Sequence, residues 1–269
     1  MALEPISTEH CTVEREGHVL VVTMNRPEAR NALSPSMMVG LADAWKLVDE
    51  DPDLRVAVLT GAGGTFSAGA DLKAMADPNV DPAVRQRMAT DPDLHWRALL
   101  RNHRLKKPLV AAVEGYAVAG GTEMLQGTDI RVAAETAILG VWEARRGLFP
   151  LGGSAVRLPR QIPYTQAMDI LLTARPVTAH EALRIGLVGR IVPEGQALPV
   201  AMAVAEQVAA CAPLSTQAIL RAWRECEGVP DQEAMKIQDE IGWAVFATED
   251  AKEGPRAFAE KRPPVFKGR

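Results

Sequence analysis

Short apolar runs recur along the first two-thirds of the chain, and they constrain the fold more than any other feature. Their Val-rich composition is typical of buried strands, and they cover residues 18–25, 55–61, 108–115 and 129–135. At 34–49, in contrast, apolar residues recur at helical spacing, with Ser34 as the expected N-cap and Pro35 just after it. Because the runs are almost continuously apolar, we predict strands that are covered on both faces. This pattern predicts a layered α/β core.

The last third of the chain has a different pattern. After about residue 196 the strand signals disappear, and three stretches are typical of successive helices: 198–210, 213–226 and 232–246. We therefore predict two parts, a core that carries the functional site at residues 1–195 and a helical region at 196–269. Within the core, the polar stretch 74–107 contains three Asp-Pro steps and is predicted to be a variable excursion.

Composition argues against several classes of protein. The 269 residues include 30 Lys and Arg against 34 Asp and Glu, and only 4% are aromatic, so we expect no nucleic-acid partner. The three cysteines, Cys11, Cys211 and Cys226, form neither a metal-binding nor a disulfide pattern. The first residues show no signal-peptide pattern, and no run of about 18 uncharged apolar residues occurs. We expect a cytoplasmic protein with no metal site and no membrane span.

Three segments share one design, in which glycines lie between the end of a strand and the start of a helix. They cover residues 60–73, 114–125 and 147–158. Backbone N–H groups at a helix start are free to donate to negative charge, and two that converge would form an oxyanion hole. Such loops also bind phosphates or merely turn the chain, but neither a P-loop nor a dinucleotide-binding glycine pattern is present. Ser67 lacks the first glycine of a nucleophile elbow, so we expect it to be structural.

These segments and their neighbours carry a resemblance to a known family. The stretches are "MNRPEARNAL" at 24–33, "TGAGGTFSAGADLK" at 60–73, "AAVEGYAVAGGTEMLQGTDIRVA" at 111–133, "EARRGLFPLGGSAVRLPRQI" at 143–162, and "GPRAFAEKRPPVFKGR" at the end of the chain. In this order and spacing the chain resembles the enoyl-CoA hydratase/isomerase (crotonase) superfamily over roughly residues 15–269. Within it, the chain is similar to an actinobacterial type of enoyl-CoA hydratase, some of which act on bulky, sterol-derived acyl chains. The resemblance implies the ClpP/crotonase-like fold, an α/β spiral of ββα units followed by a helical oligomerisation region.

The resemblance also assigns binding roles by position. The N–H groups of Ala70 and Gly120 would form the oxyanion hole for the thioester carbonyl. Further contacts with coenzyme A are implied for Arg30 and for the stretch after the hole, namely Ala70, Asp71, Leu72 and Lys73. The tail from residue 252 carries six basic residues, and Phe258 and Lys261 within it would contact the adenine-phosphate end of the substrate bound to a neighbouring subunit. A solvated tail is the alternative.

Glu123 and Glu143 are the predicted catalytic residues, because they occupy the positions of the two carboxylates of the hydratases. Taken alone, Glu123 would be expected on the solvent side of a helix's first turn. Glu143 alone would be expected to form an exposed ion pair with Arg145 or Arg146. Their offset of 20 residues favours catalysis, because two carboxyls facing one water, one ionised and one protonated, can hydrate a double bond. The resemblance makes Glu123 the base and Glu143 the acid, although coupled carboxyls titrate as a pair.

The resemblance thus implies reversible syn addition of water to a trans-2-enoyl-CoA, giving a 3-hydroxyacyl-CoA, by a homotrimer or a dimer of trimers. We expect no cofactor, since coenzyme A is part of the substrate. Two alternatives stay open: an isomerase or another acyl-CoA dehydratase on the same fold, and a non-catalytic acyl-CoA-binding scaffold. An isomerase typically needs one carboxylate, so the presence of both favours the hydratase. Short fatty, long fatty and sterol-derived acyl chains all stay open.

Overall fold

A six-stranded sheet occupies the centre of the molecule, in a computed structural model that describes residues 7–71 and 80–269. Its strand order is β1-β2-β3-β4-β6-β9, with β1 antiparallel to β2 and every other pair parallel. A smaller sheet has the order β5-β7-β8. The strands are β1 (Cys11–Glu16), β2 (Val19–Met24), β3 (Val56–Gly61), β4 (Leu109–Val113), β5 (Tyr116–Val118), β6 (Ile130–Ala134), β7 (Ile138–Gly140), β8 (Val177–Thr178) and β9 (Arg190–Val192).

The central strands are buried on both faces, as their continuous apolar runs predict. Side chains alternate along a strand, so Leu20 and Val22 enter one apolar cluster while Val19 and Val21 enter a second on the opposite face. The first cluster lies under helix α1 (Pro35–Glu50), whose Trp45 is fully buried and donates its indole N–H to Ala98 O at 3.0 Å. The predicted layered α/β core is therefore confirmed.

Helices cover both faces of the sheet. Helix α1 begins as predicted, with Ser34 Oγ accepting from Met37 N, and α8 covers the second face through Ala197, Ala201 and Ala205. The described helices are α1 (Pro35–Glu50), α2 (Pro82–Thr90), α3 (Leu94–Ala98), α4 (Gly120–Leu125), α5 (Ser154–Gln161), α6 (Tyr164–Thr173), α7 (Ala179–Arg184), α8 (Ala197–Ala209), α9 (Pro213–Glu225), α10 (Asp231–Phe246) and α11 (Glu249–Ala259).

The C-terminal region is helical, as predicted, but its first helix packs on the core. Helix α8 is one layer of the second apolar cluster, whereas α9 and α10 pack mainly against each other and leave large apolar side chains exposed. The boundary at residues 195 and 196 stays a prediction. The basic tail folds back, because Asp250 accepts from Lys267 N at 2.7 Å and from Gly268 N at 2.8 Å.

No single described helix is long and apolar enough to cross a membrane. Helices α8 and α9 have the necessary length and composition only as a pair, and they meet at a bend of 103°.

Candidate active site

The parallel pairing of β5 and β7 explains how two distant carboxyls come together. Val118, the last residue of β5, pairs with Gly140, the last residue of β7. Helix α4 follows β5 and a short 3-10 helix, Glu143–Arg146, follows β7, so both begin at the same edge of the small sheet. The carboxyl ends of parallel strands are where ligand-binding loops collect in α/β proteins. Glu123, in the first turn of α4, thus lies near Glu143 although 20 residues separate them.

The glycine-rich loop after β3 reaches the same edge. Ser67 forms a parallel bridge with Ala117 of β5, and its fully buried Oγ donates to Asn31 O at 2.8 Å, which gives Ser67 the structural place predicted for it. Two residues further on, Gly69 has φ +88°, and a Cβ there would lie 2.9 Å from Gly120 N. Only glycine allows this approach of the loop to the start of α4.

The two predicted oxyanion donors lie close to each other. In the parallel bridge between Leu33 and Ala70, the Leu33 N–H donates to Gly69 O and the Asp71 N–H donates to Leu33 O, so the Ala70 N–H points away from Leu33. Gly120 is the first residue of α4, a position whose N–H has no acceptor within the helix. A Cβ on Gly120 would lie 3.5 Å from Ala70 N. The geometry therefore allows both N–H groups to reach one carbonyl oxygen.

Glu123 is buried and held by the backbone of the third glycine-rich segment. Its carboxylate accepts from Gly152 N at 2.9 Å and from Ser154 N at 3.1 Å. Burial raises the pKa of Glu123, while hydrogen bonds from Ser154 and Gly152 lower it. The solvent-side position expected for a lone first-turn Glu is wrong, because these two N–H groups replace water around the carboxylate.

Glu143 is buried too, but its surroundings differ. Burial and, next, the charge of Glu123 raise its pKa to about 7. Its Oε2 atom has no hydrogen-bond partner in the described part of the protein. The alternative of an exposed ion pair with a neighbouring arginine is wrong for this residue, since Glu143 is only 8% exposed and its carboxylate forms no ion pair within the described ranges. The two carboxyls thus differ in a way that favours an ionised Glu123 and a protonated Glu143 near neutral pH.

Two aromatic rings contact each other, one of them next to Glu143 in the chain. Trp142 precedes Glu143, and the Trp142 ring meets the Tyr116 ring edge-on, with centroids 6.4 Å apart. The Arg30 guanidinium lies over the other ring of the pair, 5.9 Å from the Tyr116 centroid. Arg30 thus contacts Tyr116, and its predicted role in binding coenzyme A stays a prediction.

The remaining predicted binding residues are spread more widely. Asp71 is buried and forms an ion pair with Arg26, so its carboxylate fixes the glycine-rich loop after β3 to Arg26. Leu72 and Lys73 lie outside the described residues. Phe258 and Lys261 lie at the end of α11 and just after it, and both side chains are exposed. Their predicted contacts belong to an assembled oligomer and stay predictions.

The backbone donors to Glu123 were missed by reasoning from sequence. Gly152 and Ser154 lie within the segment 147–158, which was singled out for its glycines but given no partner. A signal was present, because free N–H groups at the start of a helix attract a carboxylate. Sequence alone did not show that Glu123, rather than a ligand, would be that carboxylate.

The sheet order, the converging N–H groups and the paired carboxyls together define an α/β protein of the crotonase class, which confirms the predicted fold. The chain belongs to the enoyl-CoA hydratase/isomerase family, whose model matches residues 14–269.

Similar proteins agree with this assignment over almost the whole chain. The chain is 57% identical to the enoyl-CoA hydratase EchA19 of Mycobacterium tuberculosis over 257 residues, 96% of each protein. It is 40% identical to the (E)-benzylidenesuccinyl-CoA hydratase of Thauera aromatica, over 96% of this chain and 98% of that protein. Among solved structures, an enoyl-CoA hydratase of Mycobacterium marinum superposes with a TM-score of 0.88 at 40% identity, covering 99% of this chain and 100% of the other.

Proposed function

We propose that this protein is an enoyl-CoA hydratase, which adds water reversibly and syn to a trans-2-enoyl-CoA and gives a 3-hydroxyacyl-CoA. One observation carries the proposal: the buried carboxyls of Glu123 and Glu143 lie together in environments that favour opposite protonation states. Backbone N–H groups of Gly152 and Ser154 donate to Glu123, whereas burial and the charge of Glu123 raise the pKa of Glu143. The names of the similar proteins support the same reaction class.

In the proposed mechanism each group has one task. The N–H groups of Ala70 and Gly120 bind the thioester oxygen and stabilise the negative charge that develops when water attacks C3. Glu123, ionised and fixed by backbone donors, orients the attacking water and accepts its proton. Glu143, protonated near neutral pH, supplies the proton to C2, and transfer of a proton from Glu123 to Glu143 by way of solvent then restores the pair. The thioester carbonyl of the substrate is itself the electron sink, so the proposed chemistry requires no metal or redox cofactor.

The proposal also covers the pathway and the acyl group, each as a broad class. We place the enzyme in the β-oxidation of fatty acids or of sterol side chains. Three large apolar side chains, Leu148, Phe149 and Leu151, are exposed within eight residues of Glu143 and offer an apolar wall near the reacting carbons. Comparison of rates on short, long and polycyclic enoyl-CoA substrates measures which chain this wall accommodates.

We also propose that the protein works as a homotrimer or a dimer of trimers. Helices α9 and α10 expose an apolar groove of about 780 Å³, whose walls include Ile219, Trp223, Met235, Trp243 and Phe246. Single-chain proteins rarely leave so many large apolar side chains in one exposed patch. A cytoplasmic location is part of the proposal, supported by three cysteines that all stay unpaired.

The decisive experiment follows the loss of enoyl-thioester absorbance in wild type, Glu123→Gln and Glu143→Gln, with crotonyl-CoA and one polycyclic enoyl-CoA. Gln is nearly isosteric with Glu but does not exchange the proton, so each variant is expected to lose about 10²-fold or more in kcat. Glu194→Gln, at an exposed site, is the matched control and is expected to keep the wild-type rate.

Two results would contradict the proposal. If Glu143→Gln hydrates at the wild-type rate, the two-carboxylate mechanism is wrong, and reactions that need a single carboxylate, such as isomerisation, must be tested. If wild type binds enoyl-CoA substrates but turns none over, the protein is a binding scaffold.

A further inference from the structure

The turn that holds Glu123 lies beside an arginine that the proposed mechanism does not use. Gly152 and Ser154 donate their N–H groups to the Glu123 carboxylate, and Gly153 lies between them. A Cβ built on Gly153 would lie 3.6 Å from Arg157 Cδ and 3.9 Å from Arg157 Cζ. The Arg157 backbone N–H also donates to Gly153 O at 2.9 Å. The Arg157 side chain therefore runs alongside the turn, and its backbone is hydrogen-bonded to the turn.

The Arg157 guanidinium binds a different segment of the chain. Its Nη2 atom donates to Leu100 O and, at 3.1 Å, to Arg101 O. The Nη2 group carries two hydrogens, so it can donate to both carbonyls at once. Within residues 7–71 and 80–269 Arg157 forms no ion pair, so its hydrogen bonds there go to backbone carbonyls. Arg157 thus joins the turn around Gly153 to two residues that lie more than fifty positions earlier in the chain.

Leu100 is held in a conformation that a leucine rarely adopts. Its φ is +56°, in the left-handed region, and its side chain is fully buried. A Cβ on Gly127, two residues after α4, would lie 2.7 Å from Leu100 Cβ, so these two residues pack closely. A strained residue persists only where its surroundings fix it. Here the surroundings include the end of the segment that carries Glu123 and the arginine beside the turn that binds it.

We propose that Arg157 is a positioning residue: it ties the turn that binds Glu123 to the backbone of residues 100 and 101, and thereby fixes the carboxylate. The inference deepens the proposed function and rests on it, because it concerns how the base is held against the attacking water. The turn contains two adjacent glycines, which leave its backbone a wide choice of conformations. Gly153 has φ +121°, which other residues rarely adopt. An arginine that is bonded at both ends restricts that freedom.

The test is steady-state hydration by wild type, Arg157→Met and Arg157→Lys, with whichever of crotonyl-CoA and the polycyclic enoyl-CoA wild type converts faster. Methionine replaces the apolar stem of arginine but has no N–H donor, so the turn loses its link to residues 100 and 101. Because a small displacement of a reacting group is costly, we expect kcat to fall by about 10- to 100-fold, with KM within about twofold. Lysine keeps a donor but not the planar fork, so its kcat is expected to lie between those of wild type and Arg157→Met.

Arg55 provides a matched control, because its guanidinium also joins two backbone carbonyls, at the end of α8 and in the tail. Nη1 donates to Ala209 O at 2.8 Å and Nη2 donates to Phe266 O at 2.7 Å. Arg55→Met loses the same kind of contact and is expected to keep the kcat and KM of wild type. Equal losses of kcat in Arg55→Met and Arg157→Met would overturn the inference, because the effect would then not depend on the turn that binds Glu123.

A double variant tests whether Arg157 acts through Glu123. In the Glu123→Gln background, Arg157→Met is expected to lower the residual kcat by no more than about twofold, because the base that it positions is gone. A further loss as large as that in the wild-type background would overturn the inference, as would a wild-type kcat in Arg157→Met. If the methionine variant fails to fold, Arg157→Lys is judged by the same two criteria, with an expected loss of at least about threefold in kcat.

The outcome is separable from that of the proposed function. Retention of the wild-type rate in Glu123→Gln overturns the function itself, whatever Arg157→Met does. A reduced rate in Glu123→Gln together with a wild-type kcat in Arg157→Met overturns only the positioning role.

Discussion

Gly152 gives its backbone N–H to Glu123 at 2.9 Å, and the Glu123 carboxylate in turn fills the space that a side chain at position 152 would need. A Cβ built on Gly152 would lie 2.6 Å from Glu123 Oε2 and 2.8 Å from Cδ. The absence of a side chain and the presence of a donor are thus both required at the same residue. Gly152 therefore binds a predicted catalytic residue directly, in addition to letting the chain turn.

Gly152→Ala is therefore expected to damage catalysis more than folding. The methyl group must displace the Glu123 carboxylate, and a displacement of about 1 Å in a reacting group costs on the order of 10²-fold in rate. We expect kcat for crotonyl-CoA to fall by about that factor. Gly254→Ala, inside α11 and with no atom closer than 3.9 Å to the added carbon, is the control that should keep full activity. A wild-type kcat in Gly152→Ala would refute the role assigned to the Gly152 contact.

Hydration is expected to show a bell-shaped pH profile. Glu143 must be protonated to supply a proton, and its pKa is about 7, so kcat/KM should fall as pH rises through about 7. Glu123 must be ionised, and burial raises its pKa above the ordinary 4.5, so the acid limb should lie above pH 4.5. The two limits belong to the coupled pair. Rates measured from pH 4.5 to pH 9 test this, and a rate constant that stays level from pH 6 to pH 9 would contradict the assignment of Glu143 as acid.

Glu143→Gln is expected to stabilise the protein at alkaline pH. The folded-state pKa of about 7 exceeds the ordinary 4.5, so the protonated form stabilises the fold below 4.5 and this contribution is lost as pH rises through 7. At pH 8 the ionised Glu143 therefore costs stability, and glutamine removes that cost. We expect a gain of roughly 1–3 kcal/mol in the free energy of unfolding at pH 8 and little change at pH 4.

Chemical denaturation at both pH values, at one protein concentration, measures this difference. Glu194→Gln, on the surface, is expected to change neither value. Equal stability of wild type and Glu143→Gln at pH 8 would show that burial does not raise the pKa of Glu143 in solution.

A charge in the groove between α9 and α10 is expected to weaken subunit association. Trp243 is 69% exposed in the single chain, and Trp243→Asp places a carboxylate in a surface that the proposed oligomer would bury. Light scattering on the eluted protein should give the mass of a trimer or hexamer for wild type and a smaller mass for the variant. Leu183→Asp, on α7, is the control and should keep the wild-type mass. A monomeric wild type would refute the proposed assembly.

The long elements could be predicted from sequence because each carries a full hydrophobic period. Strand β3 and helix α1 were placed within about one residue of their bounds, since a run of four apolar residues in β3 and four helical turns in α1 give a clear pattern. Strands β5 and β7 have three residues each, too few for any periodicity, and they were missed. Helix α11 was also missed, because Gly254 and Pro255 inside it are typical of a break.

The short strands matter most for the site, because their pairing brings Glu123 and Glu143 together. Because these strands are too short to be recognised, the spacing of residues alone did not predict that Glu123 and Glu143 lie close together. The resemblance to a family supplied that prediction. Local reasoning also gave the wrong surroundings for both carboxyls, since their burial depends on backbone N–H groups and packing from distant segments. Long-range contacts of this kind leave no mark in the residues beside a glutamate.

The packing of α8 has a consequence for how the chain folds during its synthesis. Every residue proposed to take part in the chemistry precedes Gln161, yet on the second face of the sheet Val58, Val110 and Val132 share an apolar cluster with residues 197–209. During synthesis the sheet therefore carries an exposed apolar face for as long as the next fifty or so residues take to emerge, about 3–10 s at ordinary rates of translation. A ribosome that stops between these points releases a chain that carries all its proposed reactive groups but lacks the helix that packs on this face of the sheet.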